Sequence, residues 1–229
     1  MAKGLFIVLE GVEGAGKSTQ AALLSAWLDA GGLRHVLARE PGGTPVGEAI
    51  RKIVLDKGDL TMPRETELFL ILAARAAFVR GVVRPALERG EVVVADRFDL
   101  STFAYQGYGR GLDLPEVRRA NALATGGLRP DLTLVLDLPV AEGLRRKGGA
   151  AVGDRIEREG ESFLTRVREG YLALAQDEPG ARLLDASGSP EKLQGEMRRM
   201  LCEAFPGTFP LEGVEKAGGA VLHEDTEGY

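Results

Sequence analysis

Gly11-Val12-Glu13-Gly14-Ala15-Gly16-Lys17-Ser18-Thr19 is the stretch that decides the fold. It fits the phosphate-loop pattern Gly-x-x-x-x-Gly-Lys-[Ser/Thr], bracketed by Gly11 and Gly16. Glycines let backbone N–H groups curl around phosphate oxygens without a Cβ clash, and a following helix points its positive end at the anion. In this pattern Lys17 neutralises β/γ-phosphate oxygens and Ser18 offers a hydroxyl to Mg²⁺. The flanks agree. Leu5-Phe6-Ile7-Val8-Leu9 is a short apolar run suited to a buried parallel strand, and Lys17 to Ala30 carries Ala21, Leu24, Trp27 and Leu28 on one helical stripe.

Outward from the loop, strands and helices alternate. Strands are predicted at His35–Arg39, Glu91–Ala95, Leu132–Leu138 and Arg182–Asp185. Helices are predicted at Gly47–Leu55, Pro63–Val79, Val82–Arg89, Ser101–Gln106 and Pro115–Thr125, with a glycine-rich loop over Gly107–Gly111. Alternation of this kind implies parallel βαβ units, hence five parallel strands sandwiched by helices. Ligands in such sheets bind at the carboxyl ends of strands, where Glu40, Asp96 and the phosphate loop fall. Residues 1–205 read as one domain. Arg145 to about Arg155 mixes cations with small residues and suits a short lid over phosphates, and 206–229 reads as a loosely packed or disordered extension.

Composition narrows the function. At 229 residues the chain has room for one full α/β core. A net charge of −5 argues against a nucleic-acid surface, while a local cationic pocket for a phosphorylated small molecule is compatible with it. The single cysteine, Cys202, has no internal disulfide partner and reads as a buried thiol. No apolar run approaches a membrane span and no signal-peptide layout is visible, so a cytoplasmic location is expected. GTPases read guanine with Asn-Lys-x-Asp, but the one asparagine here, Asn121, is followed by Ala122; the chain is also short for a motor ATPase, which leaves small-molecule kinases.

Further motifs carry a family resemblance. Arg39-Glu40-Pro41-Gly42-Gly43-Thr44, Asp96-Arg97-Phe98 with Ser101, Tyr105-Gln106-Gly107, Arg129-Pro130-Asp131 and Asp154-Arg155-Ile156-Glu157 follow the phosphate loop in that order. On these motifs the chain resembles bacterial thymidylate kinases from the first strand to about Ala204, within the phosphate-loop nucleoside monophosphate kinases. The resemblance implies transfer of the γ-phosphoryl of Mg·ATP onto dTMP, giving dTDP on the way to dTTP, by a homodimer.

The acceptor in such a reaction is a phosphate monoester, largely dianionic at neutral pH, so no base is needed to make a nucleophile. The site should therefore be rich in cations. Arg97, just past a strand end, is suited to hold the acceptor phosphate bidentately, and Arg51 resembles a second clamp. Asp96 suits a Mg²⁺ role through water. The resemblance further implies that Glu13 accepts the deoxyribose 3′-hydroxyl, that Tyr105 fills the place of a 2′-hydroxyl, that Arg75 donates to a thymine carbonyl, and that Thr102 and Gln106 lie near the base.

Two positions depart from the family pattern. Ile71 stands where members usually carry an aromatic that stacks on thymine, and Phe69 is about 200° round the helix from it. The lid keeps few arginines, and the candidates for the cation on the transferring phosphoryl run Arg146, Arg155, then Lys147. The rival readings are a deoxynucleoside kinase with Glu40 as base, and a nucleotide-binding module with weak catalysis.

Overall fold

The computed structural model describes residues 4–56, 60–148, 155–156 and 159–209. Its centre is a five-stranded parallel sheet in the order β2-β3-β1-β4-β5. The strands are β1 (Leu5–Gly11), β2 (His35–Arg39), β3 (Val92–Asp96), β4 (Leu132–Asp137) and β5 (Ala181–Asp185). The central runs are apolar throughout because helices cover both faces. Phe6 and Val8 of β1 pack with Phe78, Val83 and Phe98 on one side, while Ile7 and Leu9 meet Leu24 and Leu28 on the other.

Helix α1 (Lys17–Ala30) follows the phosphate loop, and α2 (Pro45–Val54) starts at Thr44, whose side chain accepts from the Gly47 amide at 2.9 Å. Helix α3 (Arg64–Phe78) continues through a π-helical turn (Val79–Val83) into α4 (Arg84–Glu88). The two helices expected from sequence are thus one continuous rod. Pro85 has no N–H to give the Gly81 carbonyl, so the helix widens there instead of breaking.

Gly107–Gly109 of the segment expected as a glycine-rich loop is also helical, and Arg110 and Gly111 form the turn after it. After α5 (Asp99–Thr102) the chain forms a π-helix over Phe103–Gly109, which packs against α8 (Glu161–Asp177). Glycine serves close approach here: a Cβ on Gly109 would lie 2.7 Å from the Phe163 ring. Helices α6 (Leu114–Thr125), α7 (Val140–Arg146) and α9 (Pro190–Ala204) complete the layers. The chain stays packed past Phe205: Phe209 is buried, with its ring 5.5 Å from that of Trp27 on α1. Residues 210–229 lie outside the described residues, as do 149–154 of the expected lid.

Strand register brings the functional ends together. Leu9 of β1 and Arg39 of β2 both lie level with Asp96 of β3. The phosphate loop after β1, Arg97 after β3 and Glu40 after β2 therefore share one corner. Among the described residues no helix is long and apolar enough to cross a membrane.

Candidate active site

Gly16 caps α1 with φ 88°, a left-handed conformation that turns the loop into the helix. The Lys17 ammonium turns back into the loop, donating to the carbonyls of Gly11 at 3.0 Å and Val12 at 2.9 Å. Burial, with the nearby Arg97 charge, pushes its pKa down to about 8 against the pull of Glu13, Asp96 and Glu10. Every residue from Glu13 to Thr19 lines a cleft of about 650 Å³, which Arg51, Asp96, Arg97, Arg146 and Lys147 also face. Gly11 and Val12 contribute carbonyls to Lys17 instead of wall to the cleft.

The Ser18 hydroxyl donates to the Asp96 carboxylate at 2.8 Å. A hydroxyl and a carboxylate side by side are hard oxygen donors of the kind Mg²⁺ takes when phosphates supply the rest of its shell. No cluster of three or more His, Cys, Asp or Glu side chains that could hold a metal is present among the described residues.

A second, tighter cavity of about 80 Å³ adjoins the cleft, and Glu13, Arg51, Ile71, Arg75, Arg97, Thr102, Tyr105 and Gln106 all line it. Glu13, Glu40, Arg51 and Arg97 face both spaces. Arg97 has φ +76°, an unusual backbone for a non-glycine residue and one often held at functional sites. Its guanidinium pairs with Glu13, donates to the Gly11 carbonyl at 3.1 Å and to the Tyr171 hydroxyl at 3.2 Å, and lies 5.2 Å from the Tyr105 ring centre. Burial would raise the Glu13 carboxyl, but Arg97, Lys17 and Lys147 outweigh it and hold Glu13 well below the usual carboxylate range. The Lys147 ammonium reaches the other Glu13 oxygen at 3.3 Å.

Arg75 is buried and pinned by three acceptors at 2.8 Å: Glu40, the Asn121 side chain and the Phe98 carbonyl. A guanidinium has five N–H groups, so donors remain for a ligand carbonyl. Burial pushes the Glu40 carboxyl up to about 7 despite Arg75. Thr102 Oγ1, Gln106 Oε1 and Glu40 Oε2 are buried without a hydrogen-bond partner among the described residues, and all three residues line the second cavity. Buried polar atoms left open in this way are unusual and suit polar ligand groups. Ile71 is 8% exposed and Phe69 65%, so Ile71 is the side chain that faces the cavity.

Of the expected lid cations, Arg155 is placed elsewhere and Arg146 is tied to one wall of the cleft. Arg155 donates to the Val54 carbonyl at 3.1 Å and pairs with Glu67, and it does not line the phosphate cleft. Arg146 reaches the far wall of that cleft, donating to the carbonyls of Ala186 at 3.1 Å and Ser187 at 3.3 Å and pairing with Glu142. A short α7 fixes this: residues one apart on a helix point about 100° apart, so Arg146 and Lys147 diverge.

Sequence reading missed Glu10, Glu67, Asn121 and Tyr171. Glu10 is fully buried and accepts from the Phe98 and Ser101 amides at 2.8 and 3.0 Å, and from the Tyr171 hydroxyl at 3.0 Å. A carboxylate closing an apolar strand was the available signal for Glu10. The other three carry none, because their partners lie far off in sequence.

Known proteins resemble this chain over most of its length. The family model described as thymidylate kinase matches residues 9–197. The thymidylate kinase of Desulforudis audaxviator is 55% identical over 182 residues, covering 79% of this chain and 82% of that one. That of Pseudomonas putida is 50% identical over 199 residues, 86% of this chain and 95% of that one. Among solved structures, thymidylate kinase from Ehrlichia chaffeensis is 28% identical with a TM-score of 0.72, covering 87% of this chain and 99% of that one.

Proposed function

The chain belongs to the thymidylate kinase family, and from that premise we propose how its own residues phosphorylate dTMP. It is a dTMP kinase, a transferase with ATP as phosphoryl donor and dTDP as product, which feeds nucleotide biosynthesis. The observation that carries the residue assignment is that the Glu13–Arg97 pair lines both cavities, so donor and acceptor sites meet at that pair.

ATP phosphates lie along Gly11–Thr19, with Lys17 on the β/γ oxygens. The dTMP sugar and base occupy the second cavity. Arg97 and Arg51 hold the acceptor phosphate, and Glu13 accepts the 3′-hydroxyl. Its depressed pKa supports this, since an ionised carboxylate is a strong acceptor. Tyr105 packs beside the sugar. Ile71 covers one face of the base, Arg75 donates to a carbonyl, and Thr102 and Gln106 supply open oxygens. Ser18 and Asp96 would hold Mg²⁺, which when bound screens phosphate charge.

Because the acceptor is already a dianion, the chemical task is to offset charge that builds on the transferred group. Lys17 and Arg97 serve it from the floor of the site. Of the three expected lid cations, Arg146, Arg155 and Lys147, it is Lys147 that takes the lid role, supported by its reach to Glu13. Glu40 is not needed as a base; its bond to Arg75 supports a part in orienting that guanidinium. A homodimer in the cytoplasm is part of the same reading. Exposed Val46 and Ile53 on α2, Phe69 on α3 and Leu123 on α6 supply apolar surface for it.

The test is kinetic. Arg97→Lys keeps the charge but loses the fork that can grip a phosphate. It should raise KM for dTMP and cut turnover with little change in KM for ATP. Equal changes for both substrates in a folded variant would move Arg97 out of the acceptor site.

A further inference from the structure

Glu67, Ile71 and Arg75 are spaced i, i+4, i+8 and so share one face of α3. The last two line the cavity assigned to the acceptor base, while Glu67 lies behind it, 1% exposed. Its Oε1 accepts from Gln106 Nε2 at 2.8 Å and Arg110 Nε at 3.1 Å; its Oε2 accepts from Arg110 at 3.0 Å and pairs with Arg155. A carboxylate facing two guanidinium groups stays ionised, and an ionised carboxylate only accepts. Gln106 must therefore turn its NH₂ toward Glu67. Its own oxygen is left buried and without a partner among the described residues, on a residue of the cavity wall.

We propose that Glu67 is a positioning residue for base selectivity: it locks the Gln106 carboxamide with its oxygen toward the nucleobase, so the site accepts a ring N–H and rejects a ring nitrogen lone pair. The proposal rests on the reading that this cavity holds the acceptor base. Thymine and uracil present a ring N–H flanked by carbonyls. Cytosine presents a bare ring nitrogen flanked by an amino group. An acceptor at Gln106 beside a donor at Arg75 complements the first pattern and opposes the second at both points. A flipped Gln106 would turn its NH₂ to the base and welcome the cytosine nitrogen, and the acceptor-only Glu67 is what forbids the flip. A site built around buried polar groups discriminates strongly, because the wrong partner leaves them unpaired.

The experiment compares kcat/KM for dUMP and dCMP, which differ at the reading edge alone, with dTMP alongside. Glu67→Gln gives position 67 both a donor and an acceptor, so either Gln106 orientation is satisfied. The dUMP:dCMP ratio should fall by roughly tenfold or more, as expected for one mispaired hydrogen bond. KM for ATP should hold, whereas general loosening would weaken both acceptors together and spare the ratio. Glu67→Asp keeps the negative charge but draws the carboxylate back from Gln106 by one methylene, and should lower the ratio as well. If neither variant folds, Gln106→Ala decides, since it must lower the ratio by itself. An unchanged ratio in a folded Glu67 variant or in Gln106→Ala overturns the proposal. Failure of the unaltered chain to phosphorylate any of the three monophosphates would instead remove the reading of the cavity on which it rests.

Discussion

Glu13 and Gly143 meet backbone to backbone: a Cβ on Gly143 would lie 2.3 Å from the Glu13 carbonyl oxygen. The contact sets α7 directly against the phosphate loop, and α7 delivers Arg146 and Lys147 to the cleft. Gly14 faces the same point, where a Cβ would lie 2.3 Å from the Gly143 carbonyl oxygen. Gly143→Ala must therefore push α7 away from the loop. We expect turnover to drop at least tenfold with a modest loss of melting temperature. Normal turnover in this variant would mean that α7 need not touch the loop.

Lys147 and Arg146 should separate kinetically. Lys147→Ala is expected to lower kcat on the order of 10²-fold, the scale of losing one group that stabilises transition-state charge. Arg146 faces the Ala186–Ser187 wall, so Arg146→Ala should act mainly on KM for ATP. Steady-state kinetics of both variants check this. The reverse pattern would return the lid role to Arg146.

The pH profile follows from Lys17. Burial lowers its pKa to about 8, so the ammonium that phosphate needs is lost as pH rises through that value. The kcat/KM for ATP reports the free enzyme and should decline above about pH 8. Bound phosphate favours the charged form, so kcat should hold to higher pH. The sign for stability is opposite: a depressed lysine pKa means the unfolded chain binds more protons between the folded and unfolded values. Its burial penalty is therefore full below pH 8 and relaxes above it. A kcat/KM for ATP flat to pH 10 would show that Lys17 stays charged in the free enzyme.

Ile71 contributes burial but no ring stacking, which adds on the order of 0.5–1.5 kcal/mol. Ile71→Phe should bind dTMP several-fold more tightly. The opposing effect is overpacking, about 1–3 kcal/mol, against Ile50, Val54 and Ala74 in the same cluster. Calorimetric binding and thermal unfolding on the same samples separate the two. Unchanged affinity at unchanged stability would show that Ile71 does not touch the base.

Much of this site could be read from the chain because its chemistry is local. A phosphate loop, the Asp96-Arg97 strand end and the Glu40 loop are contiguous motifs, and parallel topology alone predicts that they converge. The α3 face was legible by period: Ile71 and Arg75 point inward, and Phe69 points out. The buried polar partners were not. Glu67 binds Gln106 and Arg110 about forty residues on, and Tyr171 reaches back to Glu10 across most of the chain. Helical period gives a face but not the partner found there, which tertiary packing selects. The order among the lid cations was hidden for a related reason, since one residue of helical phase separates Arg146 from Lys147. The π-helical turns hid behind Pro85 and Gly107–Gly109, residues that read as breakers when packing is unseen.

The central claim is that a monophosphate acceptor receives a phosphoryl group from ATP where the Glu13–Arg97 pair joins the two cavities. It is tested most directly by following ADP release and acceptor products with Mg·ATP and either dTMP or thymidine. The account expects dTMP to be converted to dTDP with one ADP for each, and thymidine to be left unchanged. Phosphorylation of thymidine at a comparable rate, or ADP release that dTMP does not accelerate, would contradict it.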